Sequence, residues 1–107
     1  MLDELRKILE SIEGFKDKVA YRAFPVNEAP KLPFICYLET RTDNFFADNT
    51  VYSSTSIIDI ELYSKNRDIF NESLIEEKLR ENHMTRTKDI EYIEDEKCYE
   101  VIYTVEV

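Results

Sequence analysis

The apolar and polar positions of this chain predict two helices and five strands. Near the N-terminus, apolar residues recur three and four positions apart, as on one face of an amphipathic helix. They are Leu2, Leu5, Ile8, Leu9 and Ile12. Gly14 follows the last of them and can take the left-handed conformation that ends many helices. We therefore predict a first helix over residues 2–13.

The next two predicted elements are strands separated by a proline-rich connection. Residues 18–24 alternate with a period of two, which predicts a short strand. Three prolines follow within nine positions: Pro25, Pro30 and Pro33. Because proline lacks a backbone N–H, this connection cannot continue a central strand or a helix. The aromatic and β-branched run that starts at Phe34 predicts a second strand to about Thr42.

Residues 50–63 form the longest predicted strand, which a hairpin joins to the strand before it. The intervening residues 43–49 begin and end with turn-forming Asp and Asn, so we expect them to form the loop at the hairpin tip. Two faces alternate along the longer strand: Ile58, Ile60 and Leu62 on one, Asp59, Glu61 and Tyr63 on the other. We expect the wholly apolar face to point toward the core.

A second helix and two further strands complete the predicted elements. Asn66 or Asp68 can cap a helix that runs to about Asn82. Its apolar residues keep helical spacing: Phe70, Leu74, Ile75 and Leu79. Strands over residues 84–93 and 97–107 follow, and an acidic turn joins them. The order α-β-β-β-α-β-β over one domain, residues 1–107, predicts an α+β fold: a mostly antiparallel sheet with both helices on its apolar face.

The charge and composition exclude several classes of function. The chain has 14 Lys and Arg against 23 Asp and Glu, a net charge of −9, which opposes tight binding to nucleic acid. A single glycine excludes the glycine-rich loops that cradle nucleotide phosphates. The N-terminus lacks an export signal and no apolar run is long enough for a membrane. We therefore expect a cytoplasmic protein with no membrane partner and with reduced cysteines.

Two groups of carboxylates are candidates for chemistry. Asp59 and Glu61 are neighbours on one strand face, as the acid and the base of a glycosidase must be, but alternating carboxylates are common on the solvated face of a sheet. The acidic residues of 91–96 lack the spacing and the glycine of a calcium loop, so a solvated turn is the stronger interpretation. Neither group predicts a catalytic or metal site.

The cysteines and the single histidine are the other candidates. Cys36 and Cys98 lie in predicted strands, where buried, unreactive thiols are the common case, and a Cys–His nucleophile requires one of them to meet His83 in space. His83 follows the second helix, where an imidazolium suits the negative helix end. We predict no catalytic, cofactor-binding or metal-binding residue, and a protein that is not an enzyme.

Phe45 and Phe46 are adjacent at the predicted hairpin tip, so both cannot point into the same core. Either one of them faces outward and is covered by a partner, or both fold back beneath the proline-rich connection. We select these two residues, together with the nearby Asp48 and Tyr52, as a candidate interface.

The whole chain resembles the small tail-terminator, or tail-completion, proteins of long-tailed bacteriophages and their prophages, especially those of Gram-positive hosts. The resemblance lies in the short N-terminal helix and in five segments. The segments are Leu32-Pro33-Phe34-Ile35-Cys36-Tyr37, Asp43-Asn44-Phe45-Phe46-Ala47-Asp48-Asn49-Thr50-Val51-Tyr52, Ile60-Glu61-Leu62-Tyr63-Ser64-Lys65, the acidic helix that follows, and Tyr99-Glu100-Val101-Ile102-Tyr103.

The resemblance implies a structural, non-enzymatic protein that forms a ring, commonly a hexamer, on the last ring of the tail tube. Such a ring stops tail growth and offers the surface on which the head-side connector protein docks. It implies three partners: copies of the chain itself, the tail-tube protein and the connector. It also implies assembly in the bacterial host cytoplasm and a place in the tail or neck of the virion. Six copies at −9 each would carry −54, which would repel DNA passing through the channel.

An acidic inhibitor that imitates DNA and blocks a host nuclease or restriction enzyme is the alternative. A phosphate mimic requires long rows of carboxylates, whereas Lys and Arg are interspersed through this sequence. The charge pattern therefore favours the tail protein.

Overall fold

The structure is a computed structural model that describes residues 2–47, 50–84 and 86–106, without the side chains of residues 43–55. Seven elements follow one another in the predicted order. They are α1 (Leu2–Glu10), β1 (Val19–Tyr21), β2 (Phe34–Ala47), β3 (Thr50–Ser64), α2 (Ile69–Glu81), β4 (Arg86–Ile93) and β5 (Cys98–Glu106). The predicted α+β class and element order are confirmed.

The five strands form one mixed sheet in the order β1-β2-β3-β5-β4. β1 runs parallel to β2, and every other neighbouring pair is antiparallel. We call the face that packs against the helices the inner face and the opposite one the outer face.

The core lies between the helices and the inner face, which includes the predicted Ile58, Ile60 and Leu62. Side chains of both helices, of four strands and of the connection between α1 and β1 form one buried cluster. Its members are Leu5, Leu9, Ile12, Phe15, Val19, Ile35, Tyr37, Ile58, Ile60, Leu62, Ile75, Leu79, Val101, Tyr103 and Val105. Burial of this apolar surface is the main favourable contribution to folding.

The end of the first helix and the end of the first strand differ from the prediction. α1 ends at Glu10 instead of residue 13, because the Ser11 amide is shared between the carbonyls of Lys7 and Ile8 at 3.0 and 3.3 Å, and tighter turns follow. Gly14 has a φ of +92°, the predicted left-handed conformation. β1 ends at Tyr21 instead of residue 24, because Arg22 has a φ of +69°, which breaks the extended backbone.

The predicted tip loop is wrong over residues 43–47, which continue β2 and pair with β3. Cross-strand hydrogen bonding and the strand preference of Phe45 and Phe46 outweigh the turn preference of Asp43 and Asn44. Residues 48 and 49 lie outside the described residues. The second helix agrees well with the prediction: Asp68 caps it by accepting a 3.1 Å hydrogen bond from the Asn71 amide.

Candidate functional site

The hairpin extends beyond the rest of the sheet as a ribbon of two strands. β1 pairs with β2 only over residues 35–37, and β5 pairs with β3 only from Ile57 onward. Residues 40–47 and 50–56, which we call the ribbon, therefore pair only with each other within the described chain. In each ribbon strand, the edge that faces away from the other ribbon strand therefore has no neighbouring strand within the described residues.

Two shifts in the β2–β3 register interrupt the ribbon. The first follows Glu39, where the pairing skips Thr40, and the second follows Phe45, where it skips Tyr52. An extra residue on one strand bends a hairpin and increases its twist, and such bulges are common near functional sites. Three of the predicted interface residues, Phe45, Phe46 and Tyr52, thus lie at or beside the second bulge. Their side chains and the whole of Asp48 are outside the described part of the chain, so their exposure remains a prediction.

β4 is one edge of the sheet, and within the described residues it pairs only with β5. All of its residues except Ile93 are exposed. Ile90 and Tyr92 belong to its inner face, and each keeps 45% of its surface exposed, so the helices leave this part of the inner face uncovered. An exposed edge strand can pair with a strand of another chain.

Carboxylates are concentrated on the outer face of β3, β5 and β4. The register and the burial alternation place six of them there: Asp59, Glu61, Asp89, Glu91, Glu100 and Glu106. Among the described strands, the one basic residue in register with this face is Arg41, at the base of the ribbon. The sheet therefore gathers into one surface carboxylates that are scattered along the sequence.

Glu61, Tyr63 and Glu100 form a hydrogen-bonded group at the centre of the outer face. The Tyr63 hydroxyl lies 2.8 Å from Oε2 of Glu100 and 3.2 Å from Oε1 of Glu61. Burial, together with the charge of Glu100, raises the pKa of Glu61 to about 7. Burial and the hydrogen bond to Glu100 also raise the pKa of Tyr63. This group can hold one proton on Glu61 near neutral pH.

A pocket of about 320 Å³ adjoins this group, between the proline-rich connection and the β4–β5 turn; we call it the outer pocket. Its lining is Arg22, Ala23, Phe24, Ala29, Phe34, Cys36, Tyr63, Ile93 and Glu96. Three of the rings form a row, with Phe34 in contact with Phe24 and Tyr63 at centroid distances of 5.2 Å each. Burial, with the charges of Glu61 and Glu100, raises the pKa of the Cys36 thiol to about 11, so the thiol in the pocket is neutral at physiological pH.

The other predicted candidates are not brought together as a catalytic site. Asp59 and Glu61 share the outer face, but Asp59 accepts a 2.7 Å hydrogen bond from Thr104, and Glu61 adjoins Glu100 instead. Cys36 and Cys98 are buried, and both lie on the outer face, whereas His83 is exposed at the end of α2, on the inner side. Its backbone, with a φ of +56°, follows the helix end.

A network of charged groups fixes α2 to the sheet on the inner side. Glu72, only 1% exposed, accepts two hydrogen bonds from Arg67 and lies 2.9 Å from Nζ of Lys88. Lys88 also contacts Glu76 at 2.8 Å, and the Tyr103 hydroxyl contacts the same Glu76 oxygen at 2.7 Å. Burial opposes ionisation of Glu72, but hydrogen bonds and charges of Arg67 and Lys88 hold its pKa below the usual value. The charged groups of this network bind one another, so we interpret the network as structural.

Within the described residues, no cluster of three or more His, Cys, Asp or Glu side chains is arranged to hold a metal ion. None of the described helices is both long enough and apolar enough to cross a membrane. In comparisons with known proteins, the chain matches no protein-family model and no curated protein.

Proposed function

We propose that the chain is a tail-terminator protein of a long-tailed bacteriophage or prophage, which closes the tail tube as a ring and provides the head-joining surface. The observation that carries this proposal is the ribbon, a two-stranded extension whose edges have no partner within the described chain. The resemblance of the ribbon segment and of the Ile60–Lys65 and Tyr99–Tyr103 segments to that family supports the same function.

The strand edges suggest how the copies join. The ribbon edge of β2 spans residues 40–47, and the free edge of β4 spans Arg86–Ile93, so each offers eight residues. Pairing of one subunit's ribbon with the next subunit's β4 joins two unlike patches, and such head-to-tail contacts close into a ring when the rotation between subunits allows it. In this arrangement Phe45 and Phe46 lie in the subunit contact.

Deletion of the gene from a viable phage, followed by complementation, tests the proposal. Without the protein we expect filled heads beside tails of uncontrolled length. A variant in which Asn-Gly replaces residues 42–56 joins the paired residues Arg41 and Ile57 through a tight turn; it should fold but fail to restore normal tails. Glu77→Ala, at an exposed position of α2, is the control and should restore them.

The two steps of this experiment have separate meanings. Normal particles from the deletion phage contradict the tail function itself. Normal tails from the ribbonless variant contradict only the role of the ribbon. Phe46→Asp narrows the test further: it should lower ring formation in light scattering while the far-UV spectrum stays unchanged.

The acidic inhibitor remains the second candidate, because the sheet collects six carboxylates on one face. Against phosphate mimicry, the proton held near Glu61 reduces the negative charge at the centre of this face, and Ile102 lies between the carboxylates of Glu61 and Asp89. A pull-down against tail-tube protein and against a panel of nucleases separates the two functions.

A further inference from the structure

The outer face is a large surface with no second layer over most of its carboxylates. Both helices pack on the inner face, and the proline-rich connection forms one wall of the outer pocket. Asp89, Glu91 and Glu106 are exposed there, and Asp59, Glu61 and Glu100 are partly exposed. A sheet face usually either packs on another layer or stays solvated with charges of both signs.

Apart from Arg41 at the base of the ribbon, the charged residues that the strand register places on this face are acidic. Three adjacent strands carry its six carboxylates, and the inter-strand spacing of about 4.8 Å brings the groups within one Debye length of each other. The basic residues of β4, Arg86 and Lys88, are in register with the inner face instead. A second copy of the same face and a nucleic acid are both repelled by this surface, whereas a cationic surface is attracted.

The outer pocket adds an aromatic site at the end of the acidic face. Its rim has one charge of each sign, Arg22 and Glu96, so the nearby Glu100 carboxylate makes the local field negative. A guanidinium group is planar, stacks on aromatic rings and donates hydrogen bonds to carboxylates. The row formed by Phe24, Phe34 and Tyr63 therefore suits an arginine side chain better than an apolar one.

We propose that the outer face docks an arginine-rich surface of a partner protein, with one arginine side chain entering the outer pocket. The face spans β2 to β4, about 14 Å across, and is open along the strands, which fits a protein segment better than a small molecule. This inference goes beyond ring formation and does not depend on it, because the ribbon and β4 edges are not part of the surface.

The test uses the full chain, labelled with ¹⁵N, and a capped peptide of alternating arginine and threonine. The reference probe replaces every arginine by citrulline, which keeps the shape and removes the charge. We expect the arginine peptide to shift the backbone amide signals of Cys36, Tyr63, Glu91 and Glu100 in a saturable way. The citrulline peptide should leave them in place.

Matched variants separate the face from the net charge. Asp89→Asn with Glu91→Gln removes two exposed outer-face charges and should weaken binding about threefold to tenfold. Glu4→Gln with Glu13→Gln removes the same charge from exposed positions near α1 and should change binding by less than about twofold. Phe24 lies outside the buried core, and Phe24→Ala should weaken binding of the arginine peptide more than binding of a lysine peptide.

Three results of the peptide titrations would overturn the proposal. They are equal binding of the citrulline peptide, equal losses in the two charge variants, and signal shifts confined to residues away from the outer face. Binding of a short DNA duplex to the same amides would also overturn it. Since none of these measurements involves tails or rings, they distinguish this inference from the proposed function.

Discussion

Glu61 shows how one cross-strand contact changes the chemistry of a residue. In the sequence it is an ordinary glutamate on the solvated face of a strand. The β3–β5 register places Glu100 opposite Tyr63, and the Tyr63 hydroxyl then contacts both carboxyl groups. Partial burial and the Glu100 charge favour the neutral form of Glu61, with a pKa of about 7.

This raised pKa predicts a pH-dependent stability. The folded chain binds more protons than the unfolded chain between about pH 4.5 and 7, so the free energy of unfolding falls as the pH rises through this window. We expect the Glu61 contribution to the fall to be on the order of 2 to 3 kcal/mol. Urea unfolding from about pH 5 to about pH 8 measures it. In Glu61→Gln the free energy of unfolding should no longer show this decrease with pH, whereas in Glu77→Gln the decrease should be unchanged. If the wild type and Glu61→Gln give parallel curves of unfolding free energy against pH, the decrease does not come from Glu61.

At the scale of the elements, local signals in the sequence were sufficient for some boundaries and not for others. The N-terminal cap of α2 depends on Asp68 and on the amide of Asn71, three residues further along, so a short window of sequence predicts it. The end of β1 depends on a positive φ at Arg22, a residue type that rarely adopts it, and the amide of Arg22 is held by the carbonyl of Tyr37 at 2.7 Å. Contacts between distant strands decide that conformation.

The same limit applies to the candidate site. The alternation in the sequence correctly placed Glu61 and Tyr63 on the face opposite the core. The register that joins Glu100 to Tyr63 depends on packing across the sheet, which no local pattern contains. The outer pocket was missed for the same reason, because its walls come from the proline-rich connection and the distant β4–β5 turn.

The ion pairs that attach α2 to the sheet predict that Glu72 is important for stability. Glu72→Ala removes the buried carboxylate that Arg67 and Lys88 share and should lower the free energy of unfolding by about 1.5 to 3 kcal/mol at pH 7. Because the pKa of Glu72 is lowered in the folded chain, its contribution is present above about pH 4.5 and declines as the pH falls through the folded pKa. Chemical denaturation checks this, with the exposed Glu77→Ala as control. Equal effects of the two substitutions would argue against the network.

At the scale of the whole molecule, the two proposed contacts should respond to charge in opposite ways. Each copy has a net charge of −9, so contacts between copies bring like charges together, and six copies would carry −54. Contact of the outer face with an arginine-rich partner brings opposite charges together. Salt screens both interactions, since the Debye length is about 10 Å at 0.1 M and about 3 Å at 1 M.

Raising NaCl from about 50 mM to about 500 mM should therefore strengthen self-association and weaken binding of the arginine peptide. Sedimentation equilibrium measures the first effect, and the amide titration measures the second on the same protein. Phe46→Asp removes an apolar side chain from the proposed subunit contact and adds a negative charge there. High salt screens the added charge but does not restore the apolar contact, so self-association of this variant should remain weak even at high salt. Self-association that weakens with salt would mean that opposite charges hold the copies together, and the acidic outer face, instead of the ribbon, would then be the surface to examine.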